Sequence, residues 1–358
     1  MDKFKKIGLT ALGTTLVASS AIAAEATVTG STGYTWSSEE VGTSTTDGIG
    51  FYNNMKMVVS GEMDNGWSST GSMLLTEDAA LSSSWASLTM GGMGTIVVGN
   101  GYGGLGAGFD DATPREFEEN HDGMKTTTAM DSLGASHDDG QILYNSPSID
   151  LAGATVSFGL EYAPEASDAA VGDGEVSTSS NLWSSASGAS VNLSYGPVSA
   201  GAYGYEMKSD EDNSNGMANR DGDAMGATWF VNYSAGPVSV GYQIAGLDNN
   251  VSGSAEAATT AKTVAAATGY FESEQISVAF NVNDDLSIGY GERTETYNAQ
   301  DNAATAIANV DMESKKIEFA YTMGSMALKG YQIDTDNPGW DSDAASDEVT
   351  ELSLTFSF

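Results

Sequence analysis

The sequence predicts an all-β protein, a transmembrane antiparallel β-barrel of about 16 strands. One observation is that apolar and polar residues alternate with a period of two in one segment after another. Another is that the connections between these segments are either short turns or long polar stretches. A third is that no segment beyond the amino terminus reaches the roughly 20 apolar residues that a membrane-spanning helix needs.

The amino terminus has the order of a secretory signal peptide. Three lysines among the first six residues precede an apolar stretch over 7–22, and small residues follow up to Ala24. This succession of basic, apolar and small residues is what signal peptidase recognises. We therefore predict a signal peptide over 1–24, with the mature chain starting at Glu25, and a single barrel domain over 25–358.

The strands are predicted by alternation, which is clearest over 154–162, 238–244 and 352–358. In the first of these segments, Phe158 and Leu160 alternate with small or acidic residues. A soluble barrel would turn its apolar face inward. In a membrane barrel the apolar face meets lipid and the polar face lines the lumen, and we expect that arrangement here.

The connections fix the strand number. Short turns are predicted at 64–66, 91–94, 148–153, 196–197, 235–237, 283–285 and 324–325, each rich in residues that suit turns. Long loops are predicted at 37–48, 76–82, 101–139, 164–181, 207–223, 245–274, 294–311 and 334–347. Together with one closing contact between the last and first strands, these connections require sixteen strands. Closure is expected because an open sheet edge in hydrocarbon would leave backbone groups unpaired.

The aromatic residues near the strand ends suit two interfacial girdles. We expect one girdle near the loop ends and one near the short turns, formed by Trp36, Tyr162, Trp183, Trp229 and Tyr290 and by Trp67, Tyr195 and Tyr233.

The composition excludes several classes of function. The chain has 49 acidic and 13 basic residues, for a net charge of −36, and no cysteine. Nucleic acid is not expected as a partner, because binding it depends on neutralising phosphates with Lys and Arg. Disulfides cannot stabilise the chain, so its stability must come from packing, backbone pairing or assembly.

Four features carry a resemblance to a known family: the stretches 87–99, 141–147 and 321–328, and the terminal Phe358. With them the chain resembles the Gram-negative general porins, sixteen-stranded trimeric proteins of the outer membrane, in particular the alphaproteobacterial branch. The resemblance implies short periplasmic turns, long outer loops and a third loop, 101–139, that folds into the lumen as the pore constriction. It also implies a channel for small hydrophilic solutes and ions, surrounded by outer-membrane lipid.

The resemblance further implies partners for assembly. Phe358 would be the signal that the barrel assembly machinery reads, and the short second loop would latch one subunit of a homotrimer onto the next.

The third loop is predicted to make the pore prefer cations, because rings of carboxylates favour them. Its constriction residues are expected to be Asp110, Asp111, Arg115, Glu116, Glu118, Glu119 and Asp122. In many porins an acidic loop faces a cluster of arginines. Here strand parity gives the lumen face only four basic candidates, namely Lys56, Arg293, Lys316 and Lys329, so we expect a weaker transverse field and a more uniformly negative pore.

Other interpretations stay open. No cofactor is expected, but the acidic stretches 210–216 and 334–343 offer oxygen donors, so structural calcium on the outer loops is an alternative. We do not expect an enzyme, because the two histidines, His121 and His137, lie in the third loop away from a recognisable nucleophile. A substrate-specific channel and a secreted acidic surface-layer β protein are the remaining alternatives.

Overall fold

The computed structural model describes residues 25–76, 80–100, 103–120, 133, 140–164, 183–209, 223–248, 269–299 and 309–358. The predicted signal peptide, 1–24, lies outside this part of the chain. Within it, no helix is long and apolar enough to cross a membrane.

The described residues form one antiparallel sheet of seventeen strand segments that closes on itself. In chain order the strands are β1 (Glu25–Val41), β2 (Ser44–Glu62), β3 (Ser68–Leu75), β4 (Leu81–Thr89), β5 (Thr95–Asn100), β6 (Gln141–Asn145), β7 (Ile149–Leu151), β8 (Ala154–Ala163), β9 (Trp183–Tyr195), β10 (Val198–Ser209), β11 (Ala224–Ala235), β12 (Val238–Asp248), β13 (Gly269–Asn281), β14 (Leu286–Ala299), β15 (Val310–Met323), β16 (Met326–Asp336) and β17 (Asp347–Ser357). Three short 3-10 turns accompany them, at Gly91–Met93, Gly106–Gly108 and Pro338–Trp340.

The barrel has sixteen strand positions, because β6 and β7 are two halves of one strand. Both pair with β8, and the residues between them, which include Pro147, interrupt the ladder. Proline has no N–H to donate, which explains a break at this point. The predicted strand number and the closed antiparallel barrel are confirmed.

Closure occurs between the first and last strands. β1 pairs with β17 from Ser31 opposite Ser357 to Val41 opposite Asp347. At the end of the chain, Gly30 N–H donates to the Phe358 carbonyl at 3.0 Å and Phe358 N–H donates to the Gly30 carbonyl at 2.9 Å. The terminal residue therefore supplies the last rung of the seam.

The two faces of the sheet are arranged as predicted. On β8, Leu160 and Tyr162 are each 50% exposed on the outside, while Glu161 between them is 4% exposed on the inside. The aromatic residues expected near the strand ends lie at outward, exposed positions in six cases: Trp36, Tyr162, Tyr195, Trp229, Tyr233 and Tyr290.

The seven short turns are confirmed, with one change of extent. The turn predicted over 148–153 contains only Ala152 and Gly153, which have φ of 57° and 91°, because Ile149–Leu151 pairs with β8. Residues in the left-handed region suit a two-residue hairpin, whose twist matches that of the strands.

The first long loop was predicted wrongly. Instead of a loop over 37–48, β1 and β2 pair without interruption up to Val41 opposite Ser44, so that only Gly42 and Thr43 form the turn. The Ser, Thr, Glu and Asp residues there are polar on both faces of the hairpin, which is typical of a loop in sequence. Backbone pairing does not require an apolar face, so the ladder continues beyond the apolar band.

Candidate functional site

The candidate site is the third loop, whose described residues, 103–120 and Leu133, lie inside the barrel. The loop follows β5 and first contacts the wall at β8. Leu105 N–H donates to the Glu161 carboxylate at 2.7 Å, and the hydroxyl of Tyr203 on β10 donates to the same carboxylate at 2.5 Å. Glu161 therefore fixes the start of the loop against the wall.

Two glutamines on adjacent strands hold the middle of the loop. Gln243 on β12 accepts from Ala112 N–H at 2.7 Å and donates to the Phe109 carbonyl at 2.5 Å. Gln275 on β13 donates to Asp111 Oδ1 at 2.5 Å. An amide side chain can donate and accept at once, so Gln243 satisfies backbone groups of the loop, while Gln275 holds the loop through the Asp111 and Thr113 side chains.

Residues 116–119 of the loop are held by a buried charged pair on β15. The Glu318 carboxylate accepts from Glu116 N–H at 2.5 Å and from Phe117 N–H at 3.2 Å. Lys316 Nζ donates to the Glu119 carbonyl at 2.7 Å and lies 4.0 Å from the Glu318 carboxylate. The loop thus crosses the inner wall from β8 to β15, and the predicted inward folding of the third loop is confirmed.

Asp111 is enclosed by other residues of the loop and the wall. It is 3% exposed and accepts from Thr113 N–H at 3.1 Å and from Asn120 N–H at 2.5 Å, besides Gln275. Its carboxylate ties two parts of the loop together, because the carboxylate oxygens accept several donors in a water-poor position. No pattern in the sequence distinguishes Asp111 from the other carboxylates of the loop.

The other predicted loop residues have more contact with the lumen. Arg115 has 34% of its side chain exposed and pairs with Glu119 at 2.6 Å, so these two charges neutralise each other locally. Asp110, Glu116 and Glu118 are partly exposed. Asp122 and both histidines lie outside the described residues.

The four basic residues on the wall do not form one cluster. All four have the predicted inward parity, but Arg293 and Lys316 are 3% and 1% exposed. Arg293 donates to Ser273 Oγ and to the Glu295 carboxylate, each at 3.0 Å. These two residues are therefore largely covered in the described part of the chain, and their role at the constriction stays a prediction. Lys56 is exposed, and Lys329 lies 5.3 Å from the Phe117 ring centroid.

The sequence analysis missed an apolar cluster on the lumen face of the barrel. Its buried members include Phe109 from the third loop, Leu133, and inward residues of β10 to β15, which are Tyr203, Tyr205, Met207, Leu247, Phe271, Tyr297 and Met312. Trp340 contacts Phe271 with ring centroids 4.8 Å apart and donates its indole N–H to the Glu295 carbonyl at 3.1 Å. The signal was available in the second half of β10, where the inward residues Tyr203, Tyr205 and Met207 are large and apolar or aromatic.

Within the part of the chain that the structure describes, no group of three or more Asp, Glu or His side chains is placed to hold a metal ion. The acidic stretch 210–216 lies outside that part.

The fold is shared with solved structures of porins. OmpF of Salmonella typhi, in complex with daunomycin, aligns with a TM-score of 0.67 at 14% identity, over 93% of this chain and 97% of that one. The anion-selective porin of Comamonas acidovorans aligns with a TM-score of 0.62 at 12% identity, over 94% and 100%. The outer-membrane channel DcaP of Acinetobacter baumannii aligns with a TM-score of 0.61 at 13% identity, over 94% and 97%. No protein-family model and no curated protein sequence matches the chain.

Proposed function

We propose that this chain, which has the fold of the sixteen-stranded porins, is a water-filled channel of the Gram-negative outer membrane. It lets small hydrophilic solutes and ions diffuse passively and has no enzymatic activity. The observation that carries the proposal is a closed barrel, apolar outside, whose third loop is fastened along the inner wall by polar residues of five strands, β8, β11, β12, β13 and β15. A loop held along the inner wall in this way narrows the lumen of the barrel.

The lateral position of the open path follows from what fills the rest of the lumen. The apolar cluster occupies the lumen face of β10 to β15, so the water-filled path runs along the opposite wall. The inward residues of β1 to β3 there are mainly hydroxyl and amide side chains, such as Thr35, Asn54 and Thr70. Such a wall suits neutral hydrophilic solutes as well as ions.

The proposed pore prefers cations. The loop carboxylates with access to the lumen are Asp110, Glu116 and Glu118, since Asp111 is buried and Glu119 is paired with Arg115. On the barrel wall, the covered positions of Arg293 and Lys316 leave Lys56 and Lys329 as the inward-facing bases with exposed side-chain area among the described residues, and Arg115 of the loop is paired with Glu119. Partly exposed carboxylates in the lumen favour cations, and the covered positions of Arg293 and Lys316 remove two bases that would oppose them.

The proposed assembly is a homotrimer, inserted by the barrel assembly machinery with Phe358 as its signal. The support is the porin fold and the short second loop, where Thr76 N–H donates to the Ala80 carbonyl at 2.9 Å. Chemical crosslinking of the detergent-extracted protein should give a ladder that ends at three subunits. Exclusive recovery of monomers would count against a trimer.

A liposome-swelling assay tests the channel function. The purified mature protein, reconstituted in vesicles, should admit neutral sugars at rates that fall steeply with sugar size. Vesicles carrying the same amount of heat-unfolded protein are the control. Swelling no faster than in the control, for the smallest sugar tested, would overturn the proposal.

A further inference from the structure

The last outer loop, residues 337–346 between β16 and β17, folds into the barrel. Its Trp340 side chain belongs to the apolar cluster on the lumen face and is 9% exposed. The indole ring contacts the Phe271 ring of β13 with centroids 4.8 Å apart, and the indole N–H donates to the Glu295 carbonyl of β14 at 3.1 Å. Since β13 lies three strand positions from β16 and neighbouring strands are about 4.8 Å apart, the loop reaches about 14 Å across the inner wall.

A second contact draws the loop in the same direction. The Asn337 side-chain amide donates to the Asp311 carbonyl on β15 at 2.8 Å, one strand before the strand that Trp340 reaches with its N–H. Further along the loop, Asp343 N–H donates to Asp341 Oδ1 at 2.9 Å, which is a contact within the loop itself. Among the described contacts, those of Asn337 and Trp340 therefore hold the loop toward β13, β14 and β15.

The loop backbone is in an unfavourable conformation at the residue that carries the indole ring. Trp340 has a φ of 55°, in the left-handed region, where the Cβ atom of an L-residue comes too close to the following carbonyl oxygen. Asn337 and Gly339, at φ of 52° and 69°, are of the residue types that adopt this region more readily. A large residue stays there only where its surroundings over-determine the conformation. Burial of the indole and strain of the backbone thus oppose each other, and a loop that loses the indole contacts should also leave this conformation.

The loop is held on the side of the lumen that lies away from the proposed open path. That path runs along β1 to β3, because the apolar cluster occupies the lumen face of β10 to β15. The two ends of the loop follow β16 and precede β17, and β17 pairs with β1. A released loop would therefore start beside the open path and extend over its outer mouth.

We propose that Trp340 is a positioning residue whose indole ring holds the last outer loop against β13, β14 and β15 and so keeps the outer mouth of the channel open. The inference rests on the proposed channel function. Trp340 acts on solute passage through the loop and does not itself line the open path. Its pocket, formed by the Phe271 ring and the Glu295 carbonyl, accepts an aromatic ring with an N–H donor. Free indole has the same chemistry and is the probe that can replace the side chain.

Single-channel recording in planar bilayers, with variants at Trp340, tests the proposal. Trp340→Ala removes the ring, and this channel should close at least threefold more often than the wild type. Indole added to the Trp340→Ala channel should return the closing rate to near the wild-type value, whereas indole should not change the wild-type channel, whose pocket is filled. Trp340→Phe keeps a ring but lacks the N–H donor, so its closing rate should be intermediate. It carries the test if the alanine variant inserts poorly.

Gly339→Ala tests the same device from the backbone side. This variant retains the indole, but alanine is unfavourable at a φ of 69°, so the closing rate should also rise. Gly71→Ala on β3 is the matched control, because Gly71 has no φ in the left-handed region and no atom within 4 Å of its Cβ position. Its closing rate should equal that of the wild type. Equal closing rates for Gly339→Ala and Gly71→Ala would contradict the opposition between strain and burial.

A channel that lacks residues 338–345 shows whether the loop itself causes the closures. It should close no more often than the wild type, since no chain remains to extend over the path. Frequent closures in this shortened channel, a wild-type closing rate in Trp340→Ala, or an increase that indole does not reverse would each overturn the inference. Absence of any channel current for the wild-type protein would overturn the proposed function itself.

Discussion

Glu318 is the residue on which the position of the third loop depends most. Its buried carboxylate accepts two loop N–H groups and lies near the Lys316 ammonium. A hydrogen bond to a charged group contributes about 1.5 to 3 kcal/mol, and more is lost when a buried partner is left unsatisfied. Lys316 would also remain buried without its counter-charge if Glu318 were neutralised.

We predict that Glu318→Gln loosens the loop while leaving the barrel folded. Single-channel currents of the variant should show more open-channel noise and a changed mean conductance, because the loop backbone can then leave the wall. Glu292→Gln is the matched control, since Glu292 is exposed on the outer face of β14 and accepts from the Tyr290 hydroxyl at 2.5 Å. Noise in Glu318→Gln no greater than in the control would contradict the assigned role.

Single residues of the site show which of their properties could be predicted from the sequence and which could not. Strand parity placed Lys316 and Arg293 on the inner face correctly, because parity is a local property of the chain. Lys316 is covered by a loop 197 positions earlier in the sequence, whose Glu119 carbonyl accepts from its ammonium, and no local pattern reports this contact. The same holds for Asp111, which differs from Asp110 only through its contacts with Asn120 and Gln275.

At the scale of strands, the seam between β1 and β17 is braced from inside by β2. The Tyr52 ring lies over Gly33 of β1, and its hydroxyl contacts the Thr355 hydroxyl of β17. A Cβ atom at Gly33 would lie 2.5 Å from the ring. We therefore predict that Gly33→Val displaces Tyr52 and weakens the seam, with a cost of about 1 to 3 kcal/mol for the overpacking.

The temperature at which the folded band is lost in heat-modifiability gels measures this effect. Gly33→Val should lower it, whereas Gly71→Val should not, because the space around Gly71 is open. The same unfolding temperature for both variants would show that Tyr52 does not brace the seam.

Two variants at the end of β17 separate the part of Phe358 in closing the barrel from its proposed part as the assembly signal. Phe358 makes two backbone hydrogen bonds to Gly30, while its ring is 76% exposed. Deleting Phe358 should sharply lower the amount of folded barrel in the outer membrane, because both the last rung and the ring are lost. Phe358→Ala keeps the rung. If the ring is the signal, Phe358→Ala should reduce insertion nearly as much as the deletion of Phe358 does. Wild-type amounts of folded barrel in this variant would refute that role.

The ends of the strands were harder to predict from the sequence than their apolar centres. The apolar bands of the strands could be read from the sequence, because lipid imposes alternation on them. Outside the apolar band that constraint is lost, and segments such as 44–48 pair as strands although they read as loops. The strand segment Ile149–Leu151 was likewise included in a turn, because it follows the break in the ladder at Pro147 and is only three residues long.

For the whole molecule, the position of a charge matters more than the net charge of −36. Two unit charges 4 Å apart interact by about 4 kcal/mol at an effective dielectric constant near 20, but by only about 1 kcal/mol in bulk water. Charges on the outer surface lie beyond a Debye length of about 8 to 10 Å from the pore and are screened. Carboxylates in the narrow lumen should therefore dominate ion selectivity.

Two triple variants of equal charge change separate the two locations. The lumen variant combines Asp110→Asn, Glu116→Gln and Glu118→Gln, and it spares Asp111, whose neutralisation would disturb the loop itself. The control combines Glu313→Gln, Asp334→Asn and Asp336→Asn, three exposed carboxylates on the outer face of β15 and β16. Both variants should fold, since the changed groups are at least partly exposed to water.

The reversal potential across a potassium chloride gradient in a planar bilayer is the most direct measurement. The wild-type channel should show the sign of a cation-preferring pore, the lumen variant should shift toward zero, and the outer-face variant should stay close to the wild type. The absence of channel current in bilayers containing the wild-type protein, or a reversal potential with the sign of an anion-selective pore, would contradict the proposed cation-preferring channel. Equal shifts in the two variants would show that the third loop does not set the preference.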